Sequence, residues 1–409
     1  MIVRLALRLK QIPFSYVTVP SMMPRPLLKE TFELAYRKIP ILAIGREIYC
    51  DTSLIIEALE YYFPSQSRTC YGSSASGSYG TVYPHAKVSG WDYRPLARGF
   101  ANFWADKPLF RTTTGLIPHT VWESQFGVDR AQLIGHKLDS EKLKAKVPQN
   151  LAAFDLHLCL LEPLFKTEGR KEGWILPTES PSLADVSLYY QVRWGVDIAS
   201  GRGIYNLTGG GTKDTSEEVT KDVWNEQRYS GLWRWFHDFE KHINSLPDLE
   251  VVAKDGDYAW KQTLKETELW KDENCMVPAA VSSHQSLDAQ RGLEPGVVVS
   301  VVPDDTGRGD PTIGKLVKIG VEEVVIKPET RGKLEDLHQG AKHLDVSQGI
   351  AIQPRAALRG MRRTRPTPDP SELCHHVQED DREMRKRMEW PTELSMVRRH
   401  VYVYPGTMA

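Results

Sequence analysis

Two short stretches carry residues whose types and spacing could do chemistry. Lys38-Ile39-Pro40-Ile41-Leu42 sets a proline at the head of an apolar run. An X–Pro peptide takes the cis form at modest cost, and that bend exposes the backbone N–H and C=O of the residue before it, here Ile39. Asp51-Thr52 stands directly before Ser53-Leu54-Ile55-Ile56-Glu57-Ala58-Leu59-Glu60, a run that reads as a helix extending to Phe63. The Asp51 carboxylate can accept the early N–H groups of that helix. A helix N-terminus offers unpaired N–H groups and the positive end of its dipole, which suits a carboxylate ligand. Taken singly, Asp51 serves equally as a cap and Pro40 as a turn residue.

The elements that must position these residues follow in a readable order. Ile2, Val3, Leu5, Ala6 and Leu9 form a helical face, with Arg4, Arg8 and Lys10 largely opposite. Phe14 to Val19 alternates as a short strand, and Leu27 to Tyr36 reads as helix. Ile39 to Ile44 is a buried strand, and Gly45-Arg46 turns into Glu47-Ile48-Tyr49. Residues 65–90 are rich in Ser, Gly and Tyr and read as a linker. From Leu96 to Trp270 the pattern is mainly helical. Leu151, Phe154, Leu158 and Leu161 share one face, and Leu232, Trp233, Trp235, Phe236 and Phe239 make an aromatic helix. Ser182-Leu183-Ala184-Asp185 has the capping-box pattern, with Asp in place of Glu or Gln.

After Met276 the composition shifts to short β-rich runs, Gly296 to Val302, Lys315 to Ile319 and Val321 to Ile326. The expected organisation is 1–64, 65–95 as linker, 96–275 helical, 276–330 a small β-rich module, and 331–409 a mostly disordered charged tail. Within that tail Gln378 to Met388 has the pattern of a charged helix.

Three of these features together resemble the glutathione transferase family. The strand headed by Ile39-Pro40 is similar to the family's cis-proline strand. Asp51-Thr52 is similar to its acid-plus-hydroxyl motif at a helix start, and Ser182 to Asp185 to the capping signature of its helical domain. The likeness spans residues 1–64 and 96–270. More narrowly, the chain resembles a fungal subgroup with a long helical domain and a β-rich C-terminal extension.

The resemblance implies an α+β, mainly α fold: a thioredoxin-like domain, an all-helical domain, a small β-rich extension and a disordered tail. It implies glutathione as co-substrate. Ile39 would pair with its cysteinyl backbone as a short added strand. Thr52 would hold the γ-glutamyl carboxylate, and Asp51 the γ-glutamyl ammonium. It further implies a small-molecule electrophile as partner, a homodimer, a cytoplasmic setting, and a role in fungal metabolism or detoxification. Trp104, Arg111, Arg193, Trp194 and Asp197 are candidates for the acceptor pocket. The family also has a first strand and a loop bearing a catalytic Tyr, Ser or Cys before its first helix, whereas Met1 opens on what resembles that helix. The catalytic group therefore has no candidate position, and Phe14 to Val19 is expected to lack its strand partner. The alternative is a non-catalytic binding or assembly module on the same fold.

Other signals are weaker. Gly309 to Lys315 resembles a phosphate loop, but Leu316 stands where the magnesium-binding hydroxyl belongs, so a hairpin turn is expected. Asp304, Asp305 and Asp310 lack the downstream Glu of a calcium loop. Gly209-Gly210-Gly211 has no strand before it. Cys374-His375-His376 has no second ligand pair at zinc spacing, so no metal is expected. The 52 Lys and Arg residues nearly balance 53 Asp and Glu, which gives no pull toward nucleic acid or an anionic membrane. Five scattered cysteines form no disulfide framework and fit a reducing compartment. No apolar run is long enough to span a bilayer.

Overall fold

The computed structural model describes residues 2–32, 34–45, 47–65, 79–87, 90–166, 173–215, 218–252, 276–303, 306–307, 309–328, 342–345 and 350–354. Apolar residues at helical spacing form α1 (Ile2–Lys10), which buries Val3, Ala6, Leu7 and Leu9. Lys10 departs from the sequence reading, which set it on the polar face. It is fully buried, and its ammonium donates to Glu60 Oε1 at 3.0 Å and to the carbonyls of Phe63 and Gly80 at 2.9 and 3.0 Å. A charge taken out of water persists only when it is paired and hydrogen-bonded, and Lys10 meets both conditions.

β1 (Phe14–Tyr16) follows, then α2 (Pro26–Phe32). The second helix stops short of Tyr36, and Leu34 and Tyr36 bury beside Leu28, Phe32 and Ile39 instead. β2 (Ile41–Ile44) and β3 (Glu47–Cys50) form an antiparallel hairpin in which Ile41 lies opposite Cys50. Its turn uses Gly45 at φ +58°, a conformation open to a residue without Cβ. α3 (Thr52–Tyr62) starts directly after β3 and is buried continuously from Ser53 to Glu60.

Residues 79–87 of the expected linker are strapped down. Val82 and Tyr83 are buried, Val82 N–H donates to Glu60, and Leu183 N–H donates to the Val82 carbonyl. Beyond the strap lie α4 (Arg94–Gly99), a π-helical segment (Phe100–Leu109) and α5 (Phe110–Thr114). Pro108 has no N–H for the regular helical ladder, a local reason for the wider turn. Then come α6 (His119–Trp122), α7 (Gln125–Ile134), α8 (Ser140–Leu161), α9 (Pro163–Lys166), α10 (Leu183–Ala199), α11 (Ile204–Leu207) and α12 (Ser230–Ser245). The face of α8 foreseen from spacing supplies Phe154, Leu158 and Leu161 to a core shared with Leu188, Val192, Leu232 and Trp235.

Asp185 ties that core together. Its fully buried carboxylate accepts from Ser182 N–H and Oγ, Ile175 N–H and Trp235 Nε1, all within 2.8–2.9 Å. The capping box read from the sequence is therefore also the link between α10, α12 and the segment before α10. Burial pushes the Asp185 carboxyl above the usual carboxylate range, and the four hydrogen bonds pull against that shift.

Two findings alter the expected organisation. First, β4 (Glu250–Val252) interrupts the region read as helical and pairs in parallel with β1, Phe14 opposite Glu250. The strand expected to lack a partner thus takes one from far along the chain. The pairing is supported by Arg4, whose guanidinium donates two 2.7 Å bonds to Glu250.

Second, the C-terminal strands do not stand apart. β5 (Val298–Pro303), β6 (Thr312–Ile319), β7 (Glu323–Pro328), β8 (Lys342–Asp345) and β9 (Ile350–Pro354) join the β2–β3 hairpin in one seven-stranded sheet, ordered β2-β3-β8-β7-β6-β5-β9. β8 and β9 come from the stretch expected to be mostly disordered. β8 lies parallel to β3 and covers an edge that would otherwise present unpaired N–H and C=O groups. Val299, Val301, Leu316, Val324, Ile326 and Leu344 share one apolar cluster with Ile39, Ile48 and Cys50. The region of the expected charged helix and of Cys374 lies outside the described residues.

Replacing Asp185 by Ala would strand the buried N–H groups of Ile175, Ser182 and Trp235. At about 1–3 kcal/mol for each unsatisfied buried group, the expected loss is at least about 3 kcal/mol, measured by urea unfolding. A loss under about 1 kcal/mol would show that those donors find other partners.

Candidate functional site

The hairpin register brings the two sequence signals together. With Ile41 opposite Cys50, the next positions outward are Pro40 and Asp51, so Ile39-Pro40 and Asp51-Thr52 emerge at the same end of the β2–β3 hairpin. The Ile39–Pro40 peptide is cis. Ile39 is buried, and Pro40, Asp51 and Thr52 are half-buried.

Asp51 caps α3 as foreseen. Its Oδ1 accepts from Ser53 N–H at 3.0 Å, and its carbonyl accepts from Ile55 N–H. Its backbone has φ +80°, a region that non-glycine residues seldom enter. Thr52 is the first helical residue, and among the described residues neither its hydroxyl nor its N–H has a hydrogen-bond partner. A half-buried hydroxyl and amide at a helix N-terminus, beside an acid, can accept a carboxylate and a cationic amine together.

Sequence reasoning missed the residues that hold this turn. Ser53 Oγ accepts from Asn102 Nδ2 of the π-helical segment at 3.0 Å. One turn on, buried Glu57 accepts from Tyr83 Oη at 2.6 Å, pairs with Arg94, and lies 3.5 Å from Arg98 Nε. Burial and the Glu57 carboxylate hold the Tyr83 phenol well above its usual range. For Arg98, burial works to lower the pKa, and Glu57 and Glu322 more than offset it. At the far end Glu60 accepts from Lys10, from Thr81 Oγ1 at 2.8 Å and from Val82 N–H at 2.9 Å. A signal was present in the sequence: Arg94, Arg98 and Asn102 fall at i, i+4, i+8, and Ser53 and Glu57 at i, i+4.

The residues suggested for an acceptor pocket are parted. Trp104 stacks on Phe100 and packs against the core of Phe154 and Leu158; its indole N–H is buried and has no partner among the described residues. Trp194 stacks on Phe110 and belongs to a different cluster, with Ile117, Phe126 and Ile198. Arg193 is half-exposed and pairs with Asp197 at 2.9 Å and Glu240 at 2.5 Å. Asp197 also receives Arg202. Arg111 is exposed on α5. These groups form a surface ion network and two separate apolar contacts.

Comparisons with known proteins bear on the same halves of the chain. Residues 1–67 match the N-terminal domain of glutathione S-transferase. Over those residues the chain is similar to that domain. Residues 113–204, from α5 to α11, match a domain of unknown function. No curated protein matches. Among solved structures, a GST-like protein from Pseudomonas syringae aligns with a TM-score of 0.50 and 20% identity, over 87% of this chain and 94% of its own. At that identity the likeness speaks for the fold: a thioredoxin-like unit followed by a helical one. Among the described residues no helix is long and apolar enough to cross a membrane, and no group of three or more His, Cys, Asp or Glu could hold a metal ion.

The Asp51 conformation gives a way to separate cap from carboxylate. Asp51→Gly accepts φ +80° freely and is tolerated at an N-cap, so stability should stay within about 1 kcal/mol. Asp51→Val loses the cap and forces a β-branched residue into that region, which should cost about 2 kcal/mol or more. Urea midpoints of the two variants check this; equal stabilities would contradict the assigned backbone.

Proposed function

We propose that this transferase-like chain is a cytosolic protein that binds glutathione at the shared end of the β2–β3 hairpin and α3. The observation that carries the reading is the register that brings Ile39-Pro40 and Asp51-Thr52 to the same end of the hairpin, where, among the described residues, the Thr52 hydroxyl and N–H have no hydrogen-bond partner. In this reading the γ-glutamyl carboxylate sits on Thr52, and its ammonium faces Asp51. The cysteinyl backbone pairs with that of Ile39.

Conjugation to a small electrophile is the reaction the family likeness suggests, in fungal metabolism or detoxification and in a homodimer. Transfer would require a group that lowers the thiol pKa so that the thiolate is the attacking species. No residue of the candidate site takes that role here, so the proposal is one of binding first and turnover second.

Calorimetric titration of glutathione into the full chain tests it. Wild-type protein should bind. Thr52→Ala should weaken binding about tenfold or more, through loss of a hydrogen bond to a charged group. Asp51→Gly should weaken it at least as much while keeping the fold. Heat signals at background for all three proteins would sink the reading.

A further inference from the structure

The contacts between α3 and the helix facing it run antiparallel. Asn102 meets Ser53 in the first turn of α3, and Arg98 and Arg94 meet Glu57 in the second. Arg98 also reaches beyond both helices. Its Nη2 and Nη1 donate to Glu322 at 2.8 and 3.2 Å, in the turn between β6 and β7. The same sheet touches the candidate site by a second route. β8 pairs with β3 so that Leu344 lies opposite Cys50, the residue before Asp51. The C-terminal sheet therefore grips the strand that ends at the site and, through Arg98, the helix that begins there.

From this arrangement we infer that the C-terminal sheet sets the position of the first turn of α3 for its ligand, with Arg98 and Glu322 as positioning residues. The inference rests on the glutathione reading for the identity of that ligand. The physics is a competition of two carboxylates for one guanidinium. Glu57 is buried and already holds Tyr83 and Arg94, and its contact with Arg98 is a long one. Glu322 takes Arg98 in a two-pronged geometry that fixes the plane of the guanidinium. Without it, Arg98 either closes onto Glu57 or swings to solvent. Either movement shifts α3 against the π-helical segment, because packed helices transmit displacement instead of absorbing it. Glu322 itself is a third exposed and bonds to Arg98, not to Asp51 or Thr52. Its effect on binding must therefore travel through Arg98.

The test uses Glu322→Gln and Glu322→Asp in the full chain. Amide exchange is followed without ligand at Ser53 to Ile55, with α10 as an internal control, and glutathione affinity is measured separately. Glu322→Gln should speed exchange at 53–55 several-fold, leave α10 unchanged, and weaken glutathione about fivefold, the low end of coupling between linked sites. Glu322→Asp should restore both readouts. Unchanged exchange and affinity in Glu322→Gln would overturn the inference, as would faster exchange spread equally over α10. Should wild-type protein bind no glutathione, the functional reading fails by itself, and the ligand-free exchange still decides whether the sheet positions the turn.

Discussion

A helix buried on nearly every side cannot carry unpaired charge, and α3 carries two glutamates. Between Ser53 and Glu60 all its residues are buried, Glu57 and Glu60 included. Ionised carboxylates out of water need close cations and a full set of donors. That constraint accounts for much of the surrounding architecture. Lys10 is drawn inside from the end of α1. Residues 81–83 form a strap, because Thr81 and Val82 serve Glu60 and Tyr83 serves Glu57. The face of α4 must present Arg94 and Arg98. Removing one partner of such a buried pair is far more damaging than replacing the pair by apolar groups. The helix whose N-terminus forms the candidate site is thus held by charge as well as by packing.

Asp185 plays the matching part in the helical unit. One carboxylate collects donors from the segment before α10, from its cap and from α12. The two units meet through α1, whose residues Ala6 and Leu9 share a cluster with Ile56, Val186 and Phe239. The C-terminal sheet is built on the thioredoxin-like unit, sharing its apolar cluster and its hairpin edge. An extension integrated in this way is continuous with the sheet whose strand β3 ends at the site.

Local signals were legible in the sequence where they are local in physics. Spacing of apolar residues showed α1, α8 and α12, and the Asp51 cap marked the start of α3. The Asp51 cap and the Ser182–Asp185 box depend on neighbours three residues away or fewer. The illegible features all depend on distant partners. Lys10, Glu57 and Glu60 look like surface charges until the fold sets them face to face. Glu250 to Val252 carries no periodicity of its own, and its strand exists because Phe14 to Tyr16 offers an edge and Arg4 a counter-charge. The stretch beyond Arg331 reads as polar and aperiodic, yet Lys342 to Asp345 takes its strand form from β3 and β7 on either side. Trp104 and Trp194, both candidates for an acceptor pocket, pack against different apolar clusters.

The central claim is that glutathione meets this chain where the hairpin ends and α3 begins. Hydrogen exchange read along the whole chain, with and without saturating glutathione, tests it most directly. The account expects ligand-dependent protection concentrated at residues 37–42 and 49–56, with the helical unit little changed. Protection absent from both segments, or confined to the helices around Arg193 and Trp194, would contradict it.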